Sequence, residues 1–400
     1  MERDGTWHLP FERKEYDARL TATRAEMERR GIDLLYVTSP ANLLYLLGHE
    51  SVWWDGRNVT GLAVPLDASV KPVMFDTWDH APGWSPVVED GVTYGEEGFY
   101  YPEGPETVAR TLAGRGLLRG VVGIEEWSWA PAGPALRELA GRLAGAGGGA
   151  AEVVDGSWVV DHVRLVKSPR ELEYTRRALA IADEAYEVLA ATLREGMTEK
   201  EIRGLLDYEI AKRGGDEPGI RHMVRVGDNT FNFHHPATER AITAGELLMI
   251  DMSAGYNHYH GNTARAFALG ERPEWAERLA KLAAARDETV AQLELGDPTQ
   301  RLQDLMDSAV DAAGGLREYV WWVGGYVLGA TPPPDWVGHV YLNDEEGFEK
   351  GVLAPGFVAN WEVQLWDIPR KEGVGVIDTM ITTPSGVELP ARFPATLTVV

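Results

Sequence analysis

The sequence predicts an α+β protein: a smaller α/β domain followed by helices packed on a curved, mainly antiparallel sheet. Three observations indicate this. Short β-rich runs alternate with helical segments early in the chain, two strongly capped helices open the second part, and long apolar strands follow. A length of 400 residues suits two or three domains, and we place the domains at 1–160 and 161–400.

The predicted first domain begins with an amphipathic helix over residues 13–31, which Gly31 ends. Short β-rich runs follow, separated by Gly, Pro and Asp, in the segments DLLYVTS, GLAVPL, KPVMFD and VVGIEE. Residues 141–152, GRLAGAGGGAAE, are low in complexity and predict a flexible surface loop near the end of this domain.

The predicted second domain opens with two helices that carry capping signals in their first turns. Ser168 and Thr198 are the cap residues, and each is followed three positions later by a glutamate, Glu171 and Glu201. The pairs therefore mark the starts of two helices.

The strands of the second domain are predicted in the segments LLMIDMS, TARAFAL, FVANWEVQLW and VGVIDTMIT. A helical pair at about residues 274–314 separates the second of these strands from the third. We expect the adjacent tryptophans Trp321 and Trp322 to lie in the core.

Composition excludes several classes of function. The formal net charge is −24, with 62 acidic and 38 basic side chains, so nucleic acids and anionic membranes would be repelled. The chain has no cysteine, which excludes disulfides, thiolate metal sites and a cysteine nucleophile. It shows neither a signal peptide nor an apolar run of the roughly 18 residues that span a bilayer. We therefore expect a soluble, cytoplasmic protein that binds a small cationic or zwitterionic molecule.

Four ionisable residues lie among apolar neighbours. They are His234 in FNFHHPATER, Asp251 in LLMIDMS, His339 in DWVGHVYL and Glu362 in VANWEVQLW. Ionisable groups on apolar strands are costly unless they are paired, and their pKa values shift. Taken singly, such a histidine is commonly a core residue and such a glutamate lies on a solvated face. Their joint occurrence on separate strands favours a shared pocket.

The order of these residues resembles the pita-bread superfamily, which includes methionine aminopeptidases, prolidases, aminopeptidase P, creatinase and ectoine hydrolase. The segment DLLYVTSPANLLYLLGHESVWW is similar to the smaller domain of the prolidase and creatinase branch. VKSPRELEYTRRALAIADEAY is similar to the helix that enters the pita-bread domain, and FHHPATERAITAGELLMIDMSAGYNHYHGNTARAFALG and LAPGFVANWEV follow its most informative segments. The resemblance implies a C-terminal pita-bread domain, creatinase/aminopeptidase-like, after a creatinase-type α/β domain.

The metal-dependent members of this superfamily hold two ions with two Asp, one His and two Glu. The resemblance places Asp251, His339 and Glu362 at three of these positions, but Asn262 at the second Asp and Ile377 at the last Glu. A dinuclear site needs carboxylates that bridge and neutralise the ions. The resemblance therefore implies no metal and no other cofactor, with a single weakly held ion as the alternative.

The metal-free branch, creatinase and ectoine hydrolase, cleaves C–N bonds. Creatinase holds a guanidinium between carboxylates, one of which falls at Ala264 here, so creatine is a poor candidate. The ectoine hydrolase pattern is more similar, because LPFERKEYDARL and PPPDWVGH resemble two of its segments. The chain departs from that pattern in having Asp251 where a glutamate is expected, and in the sequence around Glu362. These departures weaken the case for ectoine itself.

The resemblance implies a metal-independent hydrolase of a C–N bond in a small non-peptide substrate: a cyclic amidine, an amide or an ectoine-like molecule. His234 would transfer protons, since the pKa of imidazole is about 6.5. Asp251 would activate water or attack directly, and with Glu362 it would hold the positive charge of an amidinium. His339 would be a second proton-transfer group or a substrate anchor.

The segment YLLGHESVWWDGRN of the smaller domain is predicted to contribute to the pocket, in such enzymes often that of a neighbouring subunit. The ring faces of Trp53 and Trp54 would contact a cation, and Tyr45 or Arg57 would bind a carboxylate of the substrate. Asn262 completes the predicted substrate-binding set. The alternative is that both tryptophans pack at a domain or dimer contact. A homodimer is expected from the resemblance.

Three other functions stay open. The same histidine and carboxylates would serve a biosynthetic lyase, cyclase or dehydratase, because acid–base groups support either chemistry. A metal-dependent Xaa-Pro peptidase-like enzyme would bind Mn, Co or Zn. A non-catalytic binding module is the third, against which the retention of His234, Asp251 and Glu362 argues.

Overall fold

The structure is a computed structural model that describes residues 9–80, 87–95, 103–149, 151–337, 341–342 and 351–400. The chain divides into two compact units, Met1–Arg164 and Leu165–Val400. Within the described ranges, no helix is long and apolar enough to cross a membrane.

The described part of Met1–Arg164 contains a six-stranded sheet in the order β4-β3-β2-β1-β5-β6. The central strand β1 pairs antiparallel with β2 and parallel with β5. The elements are α1 (Arg13–Arg30), β1 (Leu34–Val37), α2 (Pro40–Leu47), β2 (Gly61–Pro65), β3 (Val73–Thr77), β4 (Gly91–Tyr94), α3 (Gly104–Gly114), β5 (Gly120–Ile124), α4 (Gly133–Ala146), β6 (Ala151–Asp155) and α5 (Val159–Arg164).

The predicted first helix and its stop are confirmed, since Gly31 follows α1 with a left-handed φ of 69°. The prediction of a flexible loop at 141–152 is wrong. Residues up to Ala146 continue α4, and Ala151 begins β6. The helix forms despite its glycines because the side chain of Leu143 is fully buried against the sheet's core.

The described part of Leu165–Val400 contains an eight-stranded sheet. Six of its strands lie side by side along one path, in the order β10-β11-β12-β9-β8-β7. Every neighbouring pair along this path is antiparallel. The elements are α6 (Pro169–Thr192), α7 (Glu199–Lys212), β7 (Met223–Val226), β8 (Leu247–Tyr256), β9 (Tyr259–Ala268), α8 (Pro273–Ala291), α9 (Thr299–Ala312), β10 (Val320–Gly324), β11 (Val358–Asp367), β12 (Glu372–Thr383), β13 (Gly386–Glu388) and β14 (Thr398–Val399).

Both predicted capping boxes are present. Ser168 exchanges hydrogen bonds with Glu171 at the start of α6, and Thr198 does so with Glu201 at the start of α7. These contacts satisfy N–H groups that the first turn of a helix leaves unpaired. The two helices therefore begin where the local sequence predicts.

The alternation of side chains along β8 decides which face of the sheet carries the ionisable residues. Leu248 and Ile250 pack in a core cluster with α6 and α7. Leu247 and Met249 belong instead to the cluster that contains the buried side chains of α8 and α9. Since successive side chains of a strand point to opposite faces, Asp251 lies on the same face as Leu247 and Met249.

Candidate active site

A cavity of about 910 Å³ lies within Leu165–Val400, and its lining includes His234, Asp251 and Glu362. The structure thus brings three of the four predicted catalytic residues to one cavity. The fourth, His339, lies outside the described residues.

Asp251 and Glu362 stand at the two ends of one row that crosses four strands. Asp251 of β8 pairs with Ala264 of β9, Ala264 pairs with Ile377 of β12, and Ile377 pairs with Glu362 of β11. Ala264 and Ile377 are fully buried. The two positions between the carboxylates are therefore aliphatic.

The amide of Asn262 has a partner on each side. Its Nδ2 donates to Asp251 Oδ1 at 2.8 Å and to the Met252 carbonyl at 3.3 Å, and its Oδ1 accepts from Tyr326 Oη and Asn360 Nδ2, both at 3.1 Å. The backbone N–H of Tyr326 donates to Asn360 Oδ1 at 2.6 Å. That bond fixes the Asn360 amide, and through it the direction of the Asn262 amide. The N–H side of Asn262 therefore faces Asp251.

This donor set does not fit a dinuclear metal centre. Hard divalent cations require several oxygen ligands, preferably bridging carboxylates. Ile377 has no donor atom, and Asn262 presents N–H hydrogens to Asp251 where a second carboxylate would present oxygens. In the described ranges, no group of three or more His, Asp or Glu side chains is arranged to hold a metal ion.

The two carboxylates have different protonation states at neutral pH. Burial raises the pKa of Asp251 to about 6, against the opposing effects of the Asn262 hydrogen bond and the positive charge of Arg225. Burial and the negative charge of Asp251 raise the pKa of Glu362 to about 8, although Gln364 donates to it at 3.1 Å. At pH 7 Asp251 is therefore mostly ionised and Glu362 mostly protonated.

His234 is the neutral base of the cavity. Its ring meets that of Phe233 edge-on, with centroids 5.0 Å apart. Partial burial and the positive charge of Arg225 lower the pKa of His234, so the imidazole is uncharged at neutral pH. A neutral imidazole is free to accept a proton.

Large aromatic residues also line the cavity, among them Trp321, Trp322, Tyr326 and Trp336. The prediction that Trp321 and Trp322 are core residues is only partly correct. Both are half-buried and reach the cavity, but Trp321 also packs against the buried cluster that contains the side chains of α8 and α9. Adjacent residues of a regular strand point to opposite faces, but the pairing of β10 with β11 is irregular between Val320 and Trp322. That irregularity lets consecutive tryptophans line one cavity.

Several buried polar atoms of the cavity lining have no hydrogen-bond partner within the described part of the chain. They include Nε1 of Trp322 and Nδ1 of His222. Burial lowers the pKa of His222 to about 3, so this imidazole is neutral. Unpaired buried polar atoms cost about 1–3 kcal/mol each, which a bound polar ligand would recover. Neither residue was singled out from the sequence as a ligand contact.

The predicted tryptophans of the smaller domain differ in exposure. Trp53 is 49% exposed. Trp54 packs edge-on against His49 and Trp129, with ring centroids 5.6 and 6.4 Å away. Cation binding by Trp53 and Trp54 stays a prediction.

Tyr45 and Arg57 have partners within Met1–Arg164. Tyr45 is 5% exposed, and the guanidinium of Arg19 lies over its ring, 4.2 Å from the centroid. Arg57 Nε lies 2.9 Å from Asp55 Oδ1. Their proposed role toward a substrate carboxylate stays a prediction.

Three features define the creatinase/aminopeptidase-like class of protein. They are an α/β unit, a larger antiparallel sheet with helices, and a cavity on that sheet lined by ionisable residues. Residues 173–384 match the model of metallopeptidase family M24, and residues 19–166 match the creatinase/prolidase N-terminal domain. The chain belongs to metallopeptidase family M24, and it is a hydrolase of that family. The resemblance and the fold class predicted from the sequence are confirmed.

Relatives of known name include hydrolases of two kinds. The ectoine hydrolase of Halomonas elongata is 28% identical over 416 residues, which cover 97% of this chain and 98% of that protein. The Xaa-Pro dipeptidase of Pyrococcus furiosus is 25% identical over 236 residues, which cover 58% of this chain and 64% of that protein. The second match therefore spans less than two thirds of its relative.

Solved structures share the fold. A dipeptidase from Pyrococcus horikoshii OT3 has a TM-score of 0.79 at 19% identity, covering 96% of this chain and 100% of that one. The Xaa-Pro dipeptidase from Bacillus anthracis has a TM-score of 0.78 at 19% identity, with the same coverage. At this identity the likeness defines the fold alone.

Proposed function

We propose that the chain is a metal-independent hydrolase that cleaves a C–N bond in a small non-peptide amidine or amide, with ectoine-like cyclic amidines as the leading class. The observation that carries this proposal is the Asn262 amide, whose N–H side binds Asp251. The similarity to an ectoine hydrolase, which extends over 97% of the chain, supports it.

The cavity is suited to a positively charged group. Asp251 and Glu362 supply carboxyl groups, and Trp321, Trp322 and Trp336 supply aromatic surface that attracts cations. In an amidinium ion the carbon between the two nitrogens is already electron-poor. The charge of the substrate can therefore provide the polarisation that a Lewis acid provides in other hydrolases.

The protonation states assign a role to each residue. Ionised Asp251 takes a proton from water while the water oxygen bonds to the amidine carbon. Protonated Glu362 gives its proton to the leaving nitrogen as the C–N bond breaks, which yields an amide and an amine. Neutral His234 accepts the hydroxyl proton of the adduct as the amide carbonyl forms and passes it to the departing amine. The proton on Asp251 then returns through solvent to Glu362, which restores the starting protonation states. Water attack is preferred over direct attack by Asp251, because one oxygen of this short side chain is held by Asn262.

The proposal is tested by incubating the chelator-treated protein with ectoine, hydroxyectoine and simple cyclic amidines, and detecting products by mass spectrometry. We expect turnover that survives chelation, a preparation without stoichiometric Mn, Co or Zn, and loss of turnover in His234→Ala. An Xaa-Pro dipeptide should not be cleaved. Activity that disappears on chelation and returns with added metal would contradict metal independence. No turnover of any amidine or amide by folded protein would favour the lyase or cyclase alternative.

A further inference from the structure

Arg225 is a buried cation whose hydrogen bonds, within the described part of the chain, go to backbone carbonyls. It lies on β7, is 1% exposed and forms no ion pair within the described ranges. Its Nη1 donates to the backbone carbonyl of Val224 at 2.9 Å. Burying a guanidinium is costly unless its N–H groups are hydrogen-bonded. The remaining hydrogen bonds of Arg225 therefore indicate its structural role.

Those contacts reach the segment that carries His234. Nε of Arg225 donates to the carbonyl of Asn232 at 2.9 Å, and Nη2 donates to the carbonyl of Phe233 at 2.8 Å. These carbonyls belong to the two residues directly before His234. A planar guanidinium presents several N–H groups in a fixed fork, which no other side chain does.

A second buried charge holds the flanks of the same segment. Glu199 is fully buried and accepts hydrogen bonds from the backbone N–H of Val226 at 2.9 Å and from that of Thr238 at 2.7 Å. Its carboxylate also accepts from the side chain of Asn229 at 3.0 Å. The carboxylate of Glu199 thus fixes the two ends of residues 226–238, and the guanidinium of Arg225 fixes the two residues before His234.

We propose that Arg225 is a positioning residue that fixes the backbone of residues 232–233 and thereby directs the His234 imidazole into the cavity. This inference rests on the role of His234 in the proposed function, but its test does not require turnover. The positive charge of Arg225 also lowers the pKa of His234. The other titratable groups on the cavity beside His234 include Asp251 of β8 and Glu362 of β11.

The test compares Arg225→Met and Arg225→Lys with a matched control, Arg265→Met, in the full-length protein. Arg265 lies on β9, is also 1% exposed and also donates to three backbone carbonyls, those of Ala264, Ile377 and Phe393. Its ion-pair partner Asp378 keeps a second partner, Arg286, when Arg265 is replaced. The control therefore removes an equally buried guanidinium that has no contact with the His234 segment.

Two measurements are made: the pKa of His234 by NMR, assigned with His234→Gln, and amide hydrogen exchange across residues 227–235. In Arg225→Met we expect the pKa of His234 to rise toward its usual value of about 6.5, and exchange to accelerate about tenfold or more. Arg225→Lys keeps the charge but cannot span both carbonyls, so exchange should accelerate while the pKa stays near that of the unmodified protein. Arg265→Met should change neither.

The assignment is overturned if exchange across residues 227–235 is unchanged in both Arg225 variants, or if Arg265→Met reproduces the changes. Should Arg225→Met fail to fold, Arg225→Lys decides through the exchange measurement alone. If ectoine is turned over, kcat should fall at least about tenfold in Arg225→Lys with little change in KM, since the histidine is displaced while the substrate pocket remains. Absence of turnover would count against the proposed function and leaves the NMR and exchange results valid.

Discussion

At the scale of single residues, two side chains separate this site from a metal cage. Asn262 turns its N–H side to Asp251, and Ile377 places an alkyl group in the row between Asp251 and Glu362. An amide and an alkyl group need no cation to neutralise them. In the proposed function, the carboxyl groups that remain act on the organic substrate directly.

Restoring both ligands should restore metal binding. We expect Asn262→Asp/Ile377→Glu to bind Mn or Co at stoichiometric levels by calorimetry, because the donor set again contains four carboxylates and a histidine. Asn262→Asp alone should bind no metal and should lose turnover, since it adds a negative charge beside the buried Asp251. Tight metal binding by the unmodified protein would contradict the expectation.

The two raised pKa values predict the pH dependence of catalysis. In the proposed mechanism turnover requires ionised Asp251 and protonated Glu362, so kcat/KM should rise near pH 6 and fall near pH 8. Glu362→Gln should lower kcat by about 10²-fold or more and remove the alkaline limb of the profile. An unaltered alkaline limb in that variant would assign it to another group.

The same reasoning explains which site residues could be read from the sequence. Asp251 and Glu362 stand out as charges within apolar strands. Arg225 does not, because its partners are backbone carbonyls that only the folded turn brings within reach. Tyr326 and Trp336 are likewise hidden, since the hydrogen bond between them, 3.2 Å long, joins segments whose sequence predicts only burial.

At the scale of helices and strands, strong local sequence signals are sufficient to predict where an element lies. Capping boxes located α6 and α7, and apolar runs located the long strands. The prediction of a loop at residues 141–152 is wrong because it rests on the glycine-rich composition alone. The buried side chains of Leu139 and Leu143, spaced four residues apart, stabilise α4 in this segment. For Trp321 and Trp322 the prediction missed the contact with the cavity, because an irregular strand pairing has no local sequence signature.

Glu125 stabilises the start of α2 from outside the helix. Its buried carboxyl accepts from the backbone N–H groups of Thr38 and Ser39, both at 2.7 Å, and from Asn42 Nδ2 at 2.6 Å. Glu125→Ala would leave these donors unpaired and should lower the free energy of unfolding by about 2–4 kcal/mol. Urea denaturation would measure the loss, and Glu126→Ala, at the partly exposed neighbouring position, should cost less than about 1 kcal/mol.

At the scale of the whole molecule, burial of the Glu362 carboxyl group lowers the stability of the folded protein as pH rises. The pKa of Glu362 is raised in the folded protein, so its contribution to stability is present below its unfolded value near 4.5 and is lost as pH rises toward 8. We expect Glu362→Gln to raise the free energy of unfolding by about 1–3 kcal/mol at pH 8, and by much less at pH 5.

Denaturant unfolding at the two pH values would measure this difference. The control is Glu187→Gln, a replacement of an exposed glutamate on α6, which should change neither value appreciably. An equal gain at both pH values would show that the effect does not arise from the ionisation of Glu362.

The aliphatic row between Asp251 and Glu362 would give the proposed reaction a direction. Ala264 and Ile377 separate the proposed proton acceptor at one end of the row from the proposed proton donor at the other. A ring with two inequivalent C–N bonds, bound in one orientation, would present only one nitrogen to the donor. Such a substrate should therefore open to a single regioisomer, and an NMR spectrum of the products that showed an even mixture would mean that the ring binds both ways round.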